Sequence, residues 1–185
     1  MADIGTALVT LATAAITGGV ALIGVHLTNR ATSDRNDLQI KHGVEQKKKD
    51  QLLAKAEELY QLVDQWMNTF STHFLHLVPV MKGQINYNDY LDTIISYGKE
   101  QKANFIRLEM LLHIYFPELS STYEDVLEQR DVLNKVIASH KRAYKQGDLD
   151  GNRFIEPLTN AALEIDRRGE ILKTAIAEIA RRIAA

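Results

Sequence analysis

The chain has 185 residues, of which 45% are hydrophobic and 25% are charged, and its formal net charge is −2. This composition is typical of folded chains and argues against disorder. Because neutralising phosphates requires a surplus of Lys and Arg, the balanced charge argues against a general nucleic-acid binder. The chain has no cysteine, which excludes disulfides, thiolate nucleophiles and Cys-ligated zinc.

The first feature along the chain is an uncharged run, residues 4–27, which contains no Asp, Glu, Lys or Arg. A helix of this length is long enough to cross a hydrocarbon core of roughly 30 Å. We therefore predict that residues 1–29 form a single transmembrane anchor in a lipid bilayer. Two alternatives remain open: a cleaved signal peptide, although the chain lacks the basic residues that usually begin one, and a soluble core helix, since Ala, Thr and Gly are frequent in the run.

Small residues recur on one face of this predicted anchor. At about 100° per residue their spacing of three and four places them in one stripe, formed by Thr6, Thr10, Thr13, Thr17, Ala21 and Gly24. Small and hydroxylated residues favour close packing between membrane helices, so the stripe predicts a transmembrane interface of a homo-oligomer. In the alternative, the hydroxyl groups line a narrow polar pore; the absence of charge favours the packing interface.

The charges around the anchor predict its orientation. Arg30, Arg35, Lys41 and Lys47 follow the uncharged run, and no Lys or Arg precedes it. Because positively charged flanks stay on the cytoplasmic side, we expect an inner-membrane protein with its N-terminus outside and its C-terminal part in the cytoplasm. Residues 30–43 are polar with alternating charge signs, which predicts a linker or stalk.

Residues 44–185 show apolar positions in steps of three and four, and no stretch alternates with period two. Four amphipathic segments joined by short connections predict an all-α fold: an antiparallel up-down four-helix bundle with a long first helix, in the cytoplasm.

The ends of these four helices are predicted from turn and capping residues. Gly83 ends the first helix, and the second continues to Phe116 with a kink or polar layer within residues 98–104. Ser121–Glu124 reads as a capping box that begins the third. The third ends near Gln146, and a loop precedes the last helix.

Two pairs of side chains have the spacing of metal ligands on a helix. His73 and His76 are three residues apart, and Glu109 and His113 are four apart. A hairpin that turns near Gly83 would separate His76 from His113 by roughly 27 Å in height, so we do not expect the pairs to converge. The sequence predicts no catalytic, cofactor-binding or metal-binding residue.

A short acidic segment resembles the beginning of a calcium-binding loop, with Asp148, Asp150 and Asn152 at alternate positions. Arg153 stands where that loop needs its turn glycine, and Thr159 replaces the final bidentate Glu. An ordinary turn is the better interpretation.

An aromatic corner lies between the second and third predicted helices and consists of Tyr115, Phe116, Pro117 and Leu119. Packing at the end of the bundle is its default role, and a docking patch for a partner is the alternative.

Together these features predict a membrane-anchored, non-enzymatic helical-bundle protein that oligomerises through its transmembrane helix and binds or scaffolds a protein partner on the cytoplasmic side. The alternative is a membrane-permeabilising effector or channel subunit whose Thr-striped helices line a pore. A bundle enzyme with a metal at His73, His76 or Glu109 is a third possibility.

Overall fold

The computed structural model describes the backbone of residues 4–100 and 104–185, and the side chains of residues 29–98, except 31 and 34, and 104–185. These residues form five α-helices and one short 3-10 helix, and none of them is in a β-strand. The helices are α1 (Ile4–Met81), α2 (Tyr87–Glu100), α3 (Phe105–Tyr115), α4 (Ser120–Lys145) and α5 (Asn152–Ala184), with the 3-10 turn at Pro117–Leu119. The all-α prediction is confirmed.

The chain divides into two compact units, Met1–Lys49 and Asp50–Ala185. In the first unit, the described side chains of residues 29–49 are all exposed. Within the part of the chain that the structure describes, no helix combines the length and the apolar character needed to cross a membrane. The predicted anchor side chains, residues 4–27, lie outside that part.

In the second unit, α1 and α5 pack against each other along their apolar faces. Both faces follow steps of three and four, with the buried residues Ala56, Leu59, Val63 and Trp66 in α1 and Leu158, Ala161, Ile165, Gly169, Leu172, Ile176 and Ile179 in α5. Lys173 of α5 binds Asp64 of α1 at 2.9 Å. Gly151, at the other end of α5, donates a backbone hydrogen bond to the last residue of α1, Met81. The two helices are therefore antiparallel.

Helices α4 and α5 form a second antiparallel pair. Buried Gln129 of α4 donates a hydrogen bond to the carbonyl of Ala161 at 3.2 Å, and Arg168 of α5 donates one to the carbonyl of Asp125 at 2.7 Å. The turn between them contains Gly147 at φ +87°, a backbone conformation that favours glycine. The bundle-like packing of residues 50–185 confirms the predicted helical bundle.

The predicted second helix is helical over nearly its whole predicted length, but it is two helices, α2 and α3, and not one kinked helix. Asn104 has a non-helical backbone, and its side chain accepts a hydrogen bond from the amide of Arg107 at 3.0 Å. Asn104 is therefore an N-cap; it is the last residue of the polar stretch where the sequence predicted a kink or polar layer, and α3 begins directly after it, at Phe105.

The predicted capping box at Ser121–Glu124 is wrong. Residues Pro117–Leu119 form a 3-10 turn that leads directly into α4, and Leu119 already has a right-handed helical backbone. Ser121 is consequently inside the helix, and the N-cap residue Leu119 provides no side-chain hydrogen bond. A capping box requires its Ser in a non-helical conformation.

Candidate binding site

A cavity of about 350 Å³ lies between α1, α3 and α4. Its volume is at the lower end of the range of sites that bind small molecules. Its lining combines aromatic rings with polar groups: Trp66, Thr69, Phe70, His73, Phe105, Glu109, Tyr123, Arg130, Leu133, Asn134 and Ile137. We refer to it as the Trp66 cavity.

Aromatic rings form one wall of the Trp66 cavity. The ring of Trp66 lies 5.4 Å from Phe70, 5.9 Å from Phe105 and 5.6 Å from Tyr123, between ring centroids, in tilted or edge-to-face geometry. Such pairs are favoured over parallel sandwiches because ring edges are positive and ring faces negative. Trp66 and Tyr123 are buried, whereas Phe105 is exposed, so the aromatic surface extends from the core to solvent.

Tyr123 and Glu109 form the polar contact at the cavity. The Tyr123 hydroxyl donates a hydrogen bond to Glu109 Oε1 at 3.4 Å. Burial, followed by the charge of Glu109, raises the pKa of Tyr123 to about 12. The phenol therefore remains protonated at neutral pH and serves as a donor.

His73 is the titratable side chain of α1 at this cavity. Burial, with the nearby His76 as a smaller cause, lowers the pKa of His73 below its ordinary value. The ring is therefore mainly neutral at pH 7 and presents one donor and one acceptor nitrogen. Arg130 also lines the cavity, and its guanidinium donates two hydrogen bonds to Asp131, which compensates its charge.

The position of α3 beside the cavity is fixed by an ion pair with α1. Arg107 donates hydrogen bonds from Nε and Nη2 to the two carboxylate oxygens of Glu58, at 2.5 and 2.8 Å. The hydrogen bond from Arg107, aided by Lys55, lowers the pKa of Glu58 to about 2. A two-point contact of this kind fixes orientation as well as distance, and it holds Phe105 and Glu109 at the cavity.

The metal-ligand candidates are only partly brought together. His73 and Glu109 line the same cavity, whereas His76 and His113 are not among its lining residues. In the described part of the chain, no group of three or more His, Cys, Asp or Glu side chains is arranged to hold a metal ion.

The calcium-like segment forms a turn with internal hydrogen bonds. Asp150 accepts hydrogen bonds from the backbone and the side chain of Asn152, and Asp148 pairs with Arg153 at 2.6 Å. These carboxylates are thus engaged by neighbouring protein groups.

The aromatic corner is divided between core and surface. Phe116 and Leu119 are buried, at 2% and 3% exposure, whereas Tyr115 is 40% exposed and Pro117 is also exposed. Only Tyr115 and Pro117 are therefore accessible to a partner, and docking at this corner stays a prediction. The residues of the predicted transmembrane interface, Thr6 to Gly24, lie outside the described side chains.

The sequence does not predict the Trp66 cavity. Its aromatic residues come from three helices, and each occupies a position that an ordinary apolar core would also use. The one available signal is that Trp66 is the only tryptophan of the chain. Comparison of the chain with protein-family models, with curated proteins and with solved structures finds no match.

Proposed function

We propose that this chain is a membrane-anchored, non-enzymatic helical-bundle protein that self-associates through its N-terminal span and binds a partner on the cytoplasmic side. In this proposal the anchor is followed by an antiparallel up-down bundle. The partner places an apolar or aromatic group in the Trp66 cavity.

One observation carries the membrane part of the proposal. The helix α1, Ile4–Met81, begins with the uncharged run of residues 4–27 and ends with apolar residues of the bundle core. An uncharged run of that length is long enough for a membrane span, and the basic residues that follow it favour a cytoplasmic bundle.

Fractionation of cells that express the full chain tests insertion. We expect the protein in the membrane pellet after alkaline carbonate washing, with detergent required for its release. Recovery of the chain in the supernatant would overturn the anchor.

Single cysteines test orientation directly, because the chain has none of its own. In intact spheroplasts, a membrane-impermeant maleimide should label an Asp3→Cys variant and should leave an Asp37→Cys variant unlabelled until the cells are lysed. The reverse pattern would contradict the proposed orientation.

The threonine stripe supports self-association. A Thr10→Leu/Thr13→Leu/Thr17→Leu variant should reduce the signal of a reporter of membrane-helix association at least threefold, since close approach and interhelical hydrogen bonds are both lost. The matched control, Ala12→Leu/Ala15→Leu/Gly19→Leu, enlarges three small residues on the opposite helical face. Equal signals from both variants would contradict the proposed interface.

The pore alternative is distinguished by leakage. The Thr stripe favours it if the hydroxyl groups face a shared lumen. If the stripe is a packing interface, liposomes that contain the purified protein should retain a quenched dye. If the liposomes release the dye rapidly, and the triple Leu variant abolishes that release, the protein forms a pore and this proposal is wrong.

The Trp66 cavity supports the binding part of the proposal, because a concave site with apolar walls and few polar groups is the usual form of a binding pocket. We would titrate the protein with 4-bromophenol, whose heavy atom quenches the fluorescence of Trp66. Saturable quenching is expected. Thr69→Phe places a larger side chain in the cavity and should weaken the binding of 4-bromophenol at least fivefold.

Thr72→Phe is the matched control for the cavity. Thr69 and Thr72 both lie in α1 and donate to a backbone carbonyl four residues earlier, but only Thr69 lines the cavity. Quenching that does not saturate, or that both variants change equally, would show that the cavity does not bind the probe.

A further inference from the structure

His140 of α4 is a buried polar side chain without a hydrogen-bond partner. It is 1% exposed, and neither Nδ1 nor Nε2 has a hydrogen-bond partner in the structure. Most buried polar side-chain groups in proteins are paired, and an unpaired one lowers stability. This imidazole therefore occupies a site that tolerates the neutral ring and provides no acceptor for an additional proton.

Three aromatic rings surround His140, and we refer to them as the His140 cage. Tyr87 of α2 stacks on the imidazole at 6.0 Å between centroids, Phe154 of α5 meets it edge-on at 5.5 Å, and Tyr144 of α4 lies 6.2 Å away. The cage thus joins three helices around one ionisable group.

The charged and titratable groups around the cage come from α2, α4, α5 and the turn between α4 and α5. They are Tyr87 from α2, Lys141 and Tyr144 from α4, Asp148 from the turn, and Arg153 from α5. Burial lowers the pKa of His140, Arg153 lowers it further, and Asp148 raises it. Because Asp148 is already paired with Arg153 at 2.6 Å, it is poorly placed to neutralise an imidazolium.

The first turn of α2 is attached to the bundle at this cage. The Tyr87 amide donates a hydrogen bond to the Tyr144 hydroxyl at 3.4 Å, and the Tyr87 ring also contacts those of Tyr90 and Tyr144. Tyr87 and Tyr90 are buried, whereas Leu91 and Ile95 further along α2 are exposed. The His140 cage is therefore a principal attachment of this helix.

We propose that His140 is an acid-sensitive latch: a proton on its imidazole opens the aromatic cage and releases the first turn of α2 from α4 and α5. The closed state excludes the imidazolium, whereas an open state solvates it. The latch is independent of the membrane anchor and of the Trp66 cavity, so it stands or fails separately from the proposed function.

The direction of the pH dependence follows from linkage. A histidine released to solvent has a pKa near 6.5, and the closed cage lowers that value. The closed state is therefore fully favoured above pH 6.5, and this preference is lost as pH falls below 6.5. For each unit by which the cage lowers the pKa of His140, the closed-to-open equilibrium constant falls by up to tenfold.

Hydrogen exchange of the full chain in detergent tests the latch. After correction for intrinsic rates, protection of residues 87–95 should fall at least fivefold between pH 7.5 and pH 5.5, while protection at the centre of α5 changes little. In His140→Phe, which keeps an aromatic ring in the cage, the loss should disappear. His113→Phe, at an exposed histidine, is the matched control and should behave like the original chain.

Equal loss of protection in His140→Phe and the original chain would overturn the latch. If His140→Phe fails to fold, NMR titration of the ring protons in the original chain decides the question, with the resonance assigned through His140→Gln. An apparent pKa of His140 at or above 6.5 would contradict the proposal, and a value clearly below 6.5 would support it.

Discussion

The amide of Gly151 donates a hydrogen bond to the carbonyl oxygen of Met81 at 3.0 Å, which places the turn between α4 and α5 directly against the last residue of α1. A Cβ atom on Gly151 would lie 2.6 Å from the Cα and 2.8 Å from the carbonyl oxygen of Met81. Neither backbone atom can move without shifting the end of α1. Glycine is therefore required here by close approach of two backbones.

Gly151→Ala should consequently lower the free energy of unfolding by about 1–3 kcal/mol, the range typical of overpacking. Urea unfolding followed by circular dichroism measures it. Gly98→Ala is the control: Gly98 is in α2, and an added Cβ meets nothing within 4 Å. It should be neutral or stabilising by up to about 1 kcal/mol, because Ala favours helix. Equal effects would show that the contact with Met81 is unimportant.

A second close approach joins Gly169 of α5 to the side chain of Met67 in α1, where an added Cβ would overlap the thioether. Gly169→Ala should change stability by no more than about 1 kcal/mol, because the cost of moving the flexible Met67 side chain is offset by the helix preference of Ala over Gly. Because the two residues are in contact, we expect a coupling of at least about 0.5 kcal/mol in a cycle with Met67→Ala. Additive effects in urea unfolding would refute the contact.

The ion pair between Glu58 and Arg107 predicts an acid-dependent part of the stability. The pKa of Glu58 is lowered from 4.5 to about 2, so its contribution is complete above pH 4.5 and is lost as pH falls towards 2. Because each side chain is about one third exposed, solvent screens the pair, and we expect about 0.5–1 kcal/mol.

Thermal unfolding of the original chain and of Glu58→Gln, compared from pH 6 to pH 2.5, measures this contribution. The variant should be the less stable at pH 6, and most of the difference should be lost by pH 2.5. A difference that is constant with pH would mean that the charge of Glu58 is irrelevant to stability.

The beginnings of α3 and α4 predict contrasting effects of two similar substitutions. Asn104→Ala removes the side chain that accepts from the Arg107 amide and should cost about 1 kcal/mol, the usual effect of losing an N-cap. Ser121→Ala should change stability by less than about 0.5 kcal/mol, because Ser121 lies inside α4 and caps nothing. Chemical denaturation of both variants distinguishes them, and a large loss in Ser121→Ala would restore the capping box.

Much of the fold follows from the sequence by itself. The steps of three and four in the apolar residues predict helices, because a helix brings such positions to one face. Gly83, at φ +68°, ends α1 close to the predicted position, and the segment at Gly147 separates α4 from α5 as expected. These features depend on residues close together in the chain, so the local sequence is sufficient to specify them.

Only the tertiary structure decided the rest. Asn104 and Ser121 are both of residue types that favour N-caps, yet only Asn104 caps a helix. Ser121 lies inside α4 because the 3-10 turn at Pro117–Leu119 leads directly into that helix, which no local pattern encodes. The Trp66 cavity and the His140 cage each assemble side chains from three helices far apart in sequence. An apolar or aromatic residue on a helix face is predictable as buried, but its neighbours depend on how the helices are placed against one another.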